Sequence, residues 1–300
     1  MDVVTGAFGY TGRHITRRLF GMGRQVKTLT GHPDRPNPFG SAVTALPFNF
    51  DNPAELVKSL WGVEVLYNTY WIRFERAGMT FQKAVENSRT LIKAAEDAGV
   101  RRVVHISATN PSEDSPLPYY KGKAAVEKAI FESKLTYAIL RPSVIFGDEG
   151  ILINNISWLL RHFPVFAVPG DGDYEIQPVF VEDAAQLAAA LGQKHENEIV
   201  DAVGPEVFTF NDLVRVIAHN VGSRARIAHV PPSVVLFLGG VVGRIVGDVV
   251  LTENEVKGLI ANLLVSGEPP TGHARLSEWL PQNADWIGTS YMSELAKHYR

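Results

Sequence analysis

Short apolar runs alternate with helix-length amphipathic stretches through the first two-thirds of the chain. "DVVT" reads as a first strand, followed by a helix from about Thr11 to Met22. "QVKTLT" and "AVTALPF" read as the second and third strands, and "NPAELVKSL" as a short helix. "VEVLYNTY" is the fourth strand, ahead of a long helix from about Thr80 to Ala98. "RVVHISA" is the fifth, a further helix begins near Tyr119, and "TYAILRP" is the sixth. Continuous apolar strands separated by helices build βαβ units around a parallel sheet buried on both faces. The fold class expected is α/β, a Rossmann-type doubly wound parallel sheet.

The pattern changes after Gly147. "ILINNISWLLRHFPVFAV" reads as helical and then irregular, "YEIQPVFV" as extended, and "VEDAAQLAAAL" as an Ala-rich helix. From about Gly204 the chain reads as mostly helical, with breaks at "VPPS" and "GEPPTG". Residues 1–148 are therefore expected to form the sheet domain, to which 176–202 return. Residues 149–175 and 203–300 are expected to form a smaller, mostly helical substrate or partner lobe. The cleft between the two is the default binding site. The most apolar stretch, "SVVLFLGGVVGRIVGDVVL" at 233–251, approaches the roughly 20 residues that span a bilayer. Arg244, Asp248 and its glycines favour a buried or lid-forming helix; a membrane or protein contact is the lesser reading.

"VVTGAFGYTGRH" places Gly6, Gly9 and Gly12 directly after a strand and at the opening of a helix. That context marks a dinucleotide loop: Gly6 for the tight turn, Gly9 for close approach of a pyrophosphate, Gly12 for helix–strand packing. The helix N-terminus offers N–H donors and positive potential to the phosphates. Phe8, Tyr10, Thr11 and Arg13 complete the candidate cofactor loop. An NAD site usually ends the second strand with a carboxylate, about 20 residues beyond the loop. Here "TLTGHPDR" puts Thr30, Gly31 and His32 there, while Arg13 and Arg35 are candidates for a 2′-phosphate. NADP(H) is favoured over NAD(H), with Asp34 as the counter-observation, and His32 is a candidate neighbour of the adenosine ribose.

In "LPYYKGKAAVEK", Tyr119 and Lys123 alone have the i,i+4 spacing that puts a phenol and an ammonium on one helical face. Val126 and Ile130 continue that face, which should pack on the sheet, leaving Glu127 and Lys128 toward solvent. Pro118 suits the first helical position.

Charge and composition narrow the classes. A net charge of −3 gives no general attraction to nucleic acid or anionic membrane. The absence of cysteine removes disulfides, thiolate catalysis and Cys-ligated metal, and fits a reducing compartment. No spacing suggests a metal site or a hydrolase elbow. No secretory leader is evident at "MDVVTG".

"TGAFGYTG", "FNFDNPAEL", "AGVRRVVHISA", "YYKGKAAVE", "LRPSVIFG" and "QPVFVEDAAQLAAAL" occur in the order and spacing of the short-chain dehydrogenase/reductase superfamily. The chain resembles its extended and atypical branches. "ILRPSVIFG", "PVFAVPGDGDYEIQPVFVEDAA" and "GPEVFTFNDLV" are most similar to atypical members related to the NADPH-binding accessory subunit of respiratory complex I. The resemblance implies that Tyr119 transfers a proton and that Lys123 lowers its pKa and holds the nicotinamide ribose. It implies that Asn49, with Phe50 beside it, meets the adenine. Asn68 and Tyr70, with Trp71, would line the phosphate–ribose half, and Pro142, Ser143 and Val144 would meet the carboxamide. The usual catalytic Ser/Thr position falls on Ala108, with Ser107 or Thr109 as substitutes. Ser143 stands where sugar-nucleotide enzymes often have Asn, which weakens an epimerase or dehydratase reading. Asp183 reads as a helix cap or lobe anchor, and Asn154, Asn155 and Trp158 as substrate contacts or structural residues.

The expected function is a cytoplasmic NAD(P)H-dependent oxidoreductase acting on a small carbonyl or alcohol. The alternative is a non-catalytic NAD(P)H-binding accessory or sensing protein. A small-molecule substrate, no nucleic acid and, by resemblance, a homodimer are the expected partners.

Overall fold

A computed structural model describes residues 1–298. In chain order the first half contains β1 (Asp2–Thr5), α1 (Tyr10–Gly21), β2 (Val26–Thr30), β3 (Val43–Pro47), α2 (Pro53–Ser59) and β4 (Val65–Asn68). Then follow α3 (Phe81–Asp97), β5 (Arg102–Ile106), α4 (Pro118–Phe131) and β6 (Thr136–Pro142). The second half contains β7 (Val144–Phe146), α5 (Ile151–His162), β8 (Val165–Pro169), β9 (Glu175–Ile176), β10 (Pro178–Phe180), α6 (Val181–Gly192) and β11 (Glu198–Ala202). It ends with β12 (Phe208–Thr209), α7 (Phe210–Asn220), β13 (Arg226–Val230), α8 (Pro232–Val246), α9 (Glu253–Ile260), α10 (Leu276–Asn283) and α11 (Glu294–His298).

The chain divides into two compact units: residues 1–142 with 184–201, and residues 143–183 with 202–300. The first is built on a seven-stranded sheet in the order β11-β6-β5-β4-β1-β2-β3. The pairings from β3 through β6 are parallel. This is the Rossmann-type sheet expected from the sequence, with β11 as a seventh strand. The chain order reverses between β1 and β4, the topological switch where such sheets bind ligands at the carboxyl ends of their strands.

The sheet holds together because its strands are apolar on both faces. Val3, Leu29, Leu66, Val103 and Ile139 meet Leu56 and Leu60 around α2, Leu91 and Ile92 of α3, and Val126 and Ile130 of α4. Each such side chain, fully buried, contributes roughly 2 kcal/mol of hydrophobic stabilisation. Thr80 caps α3 by accepting from the Lys83 N–H, which sets the helix start one residue later than its pattern suggested. Arg102, fully buried, donates to the carbonyls of Leu191 and Glu196, and Arg101 to that of Gly192. These bonds tie the returning segment to β5 and satisfy carbonyls at the end of α6.

The second unit has its own core, in which Phe146, Ile153, Ile156, Leu160, Phe210, Leu213, Leu276 and Leu280 pack together. Val165–Pro169, expected to be irregular, is a strand, because β13 pairs with it in parallel register from sixty residues downstream. Asp183 accepts from the backbone N–H groups of His273 and Ala274, so it anchors a loop of this unit. Asn154 and Asn155 are spent on backbone: Asn154 bonds Ser290 and Gly288, and Asn155 bonds both the N–H and the carbonyl of Met292. Their role is structural. Of the two readings of 233–251, a buried or a lid-forming helix, the buried one does not hold. Of helix α8, Val235 and Gly243 are the buried residues, and Phe237 and Ile245 are each 71% exposed. Among the described residues no helix is long and apolar enough to cross a membrane.

Candidate nucleotide and catalytic site

Gly6 leaves β1 with φ +62°, a left-handed conformation that a side chain resists, and its N–H donates to the Leu29 carbonyl. The chain then folds back so tightly that a Cβ on Gly12 would overlap the Gly6 carbonyl. Gly9 caps α1 in an extended conformation with no side chain over the helix end. The Ala7 N–H donates to Thr28 Oγ, which itself donates to the Val4 carbonyl, so β2 braces the loop. Phe8, Gly9, Tyr10, Thr11 and Arg13 are half-buried along it. The resulting shape, a bare helix N-terminus beyond a glycine turn at the sheet's switch point, fits a pyrophosphate.

The other candidates in this unit gather at the carboxyl ends of neighbouring strands. After β2, His32 is exposed and Arg35 half-buried, with the Arg35 N–H donating to the His32 carbonyl. After β3, Asn49 turns the chain at φ +48°, and Phe50 stacks on Phe48 at 4.8 Å. Tyr70 closes this group, 5.0 Å from Phe48 and 5.1 Å from Phe50 between ring centroids. Its hydroxyl accepts from Asn87, and burial raises its pKa. Asn68 is fully enclosed, accepting from the Tyr70 N–H and Thr5 Oγ and donating to His105 Nδ1. It fixes strand ends with its side chain.

Lys123 is 3% exposed, and its Nζ donates to the Ile106 carbonyl at the end of β5. Burial pushes the amine from its ordinary 10.5 down to about 7, with Glu127 pulling the other way. Glu127 does not face solvent as expected. It is 3% exposed and forms a two-pronged ion pair with Arg141 of β6, which makes its burial tolerable. Lys128 is the exposed member, paired with Glu113. Tyr119 is half-buried one turn from Lys123, whose Nζ stands 6.0 Å from its ring centroid. Its ring meets Trp71 and Phe81 edge-on.

Trp71 is the bulky neighbour that completes this arrangement. Its ring centroid lies 4.8 Å from Lys123 Nζ, a cation–π contact. It rests against α4 where Gly122 has no side chain; a Cβ there would come within 2.8 Å of the indole. Around Lys123, the buried polar atoms Trp71 Nε1, Ser107 Oγ and His105 Nε2 are among those that have no hydrogen-bond partner among the described residues. Ser107 directly follows β5, and Thr109 beyond it is buried with its N–H bonded to the Pro142 carbonyl. Asn68, expected to line the cofactor, instead links Thr5 and His105, its register partner in β5, into one buried chain. Desolvation, then the Lys123 charge, keeps the His105 pKa well below its usual value.

Lys123, Tyr119, Trp71 and Ser107 thus belong to one unit with the glycine loop. Ser143 and Val144 belong to the other. There Ser143 Oγ donates to the Gln177 carbonyl, and Val144 pairs with Pro178 in β7–β10.

Residues 6–154, about half the chain, match the family described as NAD(P)H-binding. This segment belongs to that family. The matched NAD(P)H-binding segment contains the glycine loop and the Tyr119–Lys123 pair, and the sheet around them has an oxidoreductase-like fold. The chain is 27% identical over 239 residues to the mitochondrial NADH dehydrogenase [ubiquinone] 1 alpha subcomplex subunit 9 of Arabidopsis thaliana. That match takes in 76% of this chain but 60% of the plant protein's length. It is 26% identical over 244 residues to a ceramide reductase of Caulobacter vibrioides, covering 80% of this chain and 76% of the reductase. In fold it is similar to the NADPH-dependent quinone oxidoreductase of Escherichia coli complexed with NADPH. The TM-score is 0.75 at 20% identity, covering 94% of this chain and 99% of that one.

Proposed function

We propose that this protein is an NADP(H)-dependent oxidoreductase acting on a carbonyl or alcohol. The observation that carries the reading is Lys123, buried one helical turn from Tyr119 at the end of the strand that leads into Ser107, whose hydroxyl is buried without a partner. In its protonated form the buried Lys123 amine beside a phenol favours the phenolate and so makes Tyr119 a better proton donor. The phenol would give its proton to a carbonyl oxygen, and Ser107 Oγ would donate to the same oxygen and orient it. Bound NADP(H) would supply the hydride. Lys123 has N–H groups beyond the one given to Ile106 with which to hold the ribose. Arg13 and Arg35, with no carboxylate at the end of β2, support the 2′-phosphate form. The ceramide reductase relative supports a reducing reaction.

One observation favours a second reading, a nucleotide-binding subunit without turnover. The Trp71 ring covers the Lys123 amine, and Tyr119 packs among aromatic rings. The plant relative, a subunit by name, supports it.

Titration with NADPH and NADH, followed by a carbonyl screen of wild type and Tyr119→Phe, tests both. Tight NADPH binding with a reduction that Tyr119→Phe abolishes is the expected result. Binding without turnover selects the second reading, and no binding of either nucleotide overturns both.

A further inference from the structure

We infer that the exposed face of α8 lies on an anionic lipid surface. The helix reads "PSVVLFLGGVVGRIV", apolar on nearly every side, yet its exposed residues include Val234, Phe237, Leu238, Val241 and Ile245. At 3.6 residues per turn Val234, Leu238, Val241 and Ile245 form one stripe, with Phe237 beside it, about 17 Å long. A continuous exposed apolar stripe of this kind marks a contact surface.

Charge selects the occupant. Between Asp212 and Asp248 the chain has no carboxylate side chain, and the exposed Arg244 lies at i+3 from Val241 and i+7 from Phe237, on the edge of the same face. The whole protein is net negative at −3, so this cationic edge is a local feature. A second copy laid on the same face would oppose arginine to arginine, with no acidic residue on α8 to answer. A bilayer with anionic headgroups answers both features, apolar residues entering the acyl boundary and Arg244 the phosphate layer. The helix, 15 residues and so about 22 Å, is short of the roughly 30 Å hydrocarbon core, and it ends at Gly247 with φ +66°. It would lie in the interface.

The test is flotation of the full chain with vesicles of equal parts phosphatidylcholine and phosphatidylglycerol, and with phosphatidylcholine alone. Wild type is expected to float with the mixed vesicles. Phe237→Asp/Ile245→Asp should weaken partitioning by at least about tenfold. Arg244→Ala should weaken it about fivefold, on the mixed vesicles only. Both variants should keep wild-type NADPH affinity and melting temperature, since these side chains are exposed. Wild type staying at the bottom with both vesicles overturns the inference. So does a wild-type dimer that the double variant converts to monomer without any flotation, which would give the face to a second copy. Equal flotation with both vesicles, unaffected by Arg244→Ala, overturns the anionic assignment.

Discussion

The Trp71 indole sits over the Lys123 amine, 4.8 Å from ring centroid to Nζ, in the space that the absent side chain of Gly122 leaves on α4. A desolvated cation–π contact is worth about 2 kcal/mol. Removing the ring would open that side of the amine to a nucleotide. Trp71→Ala is therefore expected to tighten NADPH binding by up to about tenfold, measured by titration. Binding unchanged or weakened would mean that the ring forms part of the bound site.

The buried amine has a signature in stability against pH. Lys123 titrates at about 7 in the fold and at its ordinary 10.5 when unfolded. Between those values the unfolded chain binds the extra proton, so this residue makes stability rise with pH across that window. Melting temperatures from pH 7 to 10 should climb in wild type relative to Lys123→Met. His105, depressed by burial, acts in the same sense lower down: stability falls as the pH drops below the ordinary histidine value. Parallel curves for wild type and Lys123→Met would show that the amine is not desolvated.

Gly12→Ala forces a Cβ into the Gly6 carbonyl. The loop must open to accommodate it, at a cost of roughly 1–3 kcal/mol. NADPH affinity should fall about tenfold or more, while the far-UV circular dichroism stays native. Retained affinity would move the nucleotide away from this loop.

Arg141→Met leaves Glu127 buried without its partner, which typically costs about 3–5 kcal/mol. Adding Glu127→Leu removes the stranded charge, and most of that loss should return. Urea unfolding of the two single variants and the double variant measures the coupling. Additive losses would refute a dependent pair.

The sheet was legible in the sequence because parallel strands buried on both faces read as unbroken apolar runs. The glycine loop was legible because its spacing sits between a strand and a helix. The Tyr119–Lys123 pair followed from one helical turn. What stayed hidden depends on partners remote in sequence. Glu127 looks solvent-facing until Arg141 arrives from β6. Val165–Pro169 becomes a strand only through β13. The position of Trp71 follows from the bare helix surface at Gly122, which no periodicity reports. In α8 the sequence shows apolarity but not whether the fold covers it, and the fold leaves most of it open.

The amide pairs that join α5 to residues 288–292 impose an order on biosynthesis. Asn154 and Asn155 leave the ribosome with half the chain still to come, and their side chains find partners only when Gly288, Ser290 and Met292 emerge. Asp248 waits in the same way for the N–H groups of Glu294 and Leu295. The sheet's inner strands can assemble on the nascent chain, whereas the second unit closes late. A stalled or shortened chain would then present a nucleotide domain beside an unfinished neighbour, a substrate for chaperones and proteases.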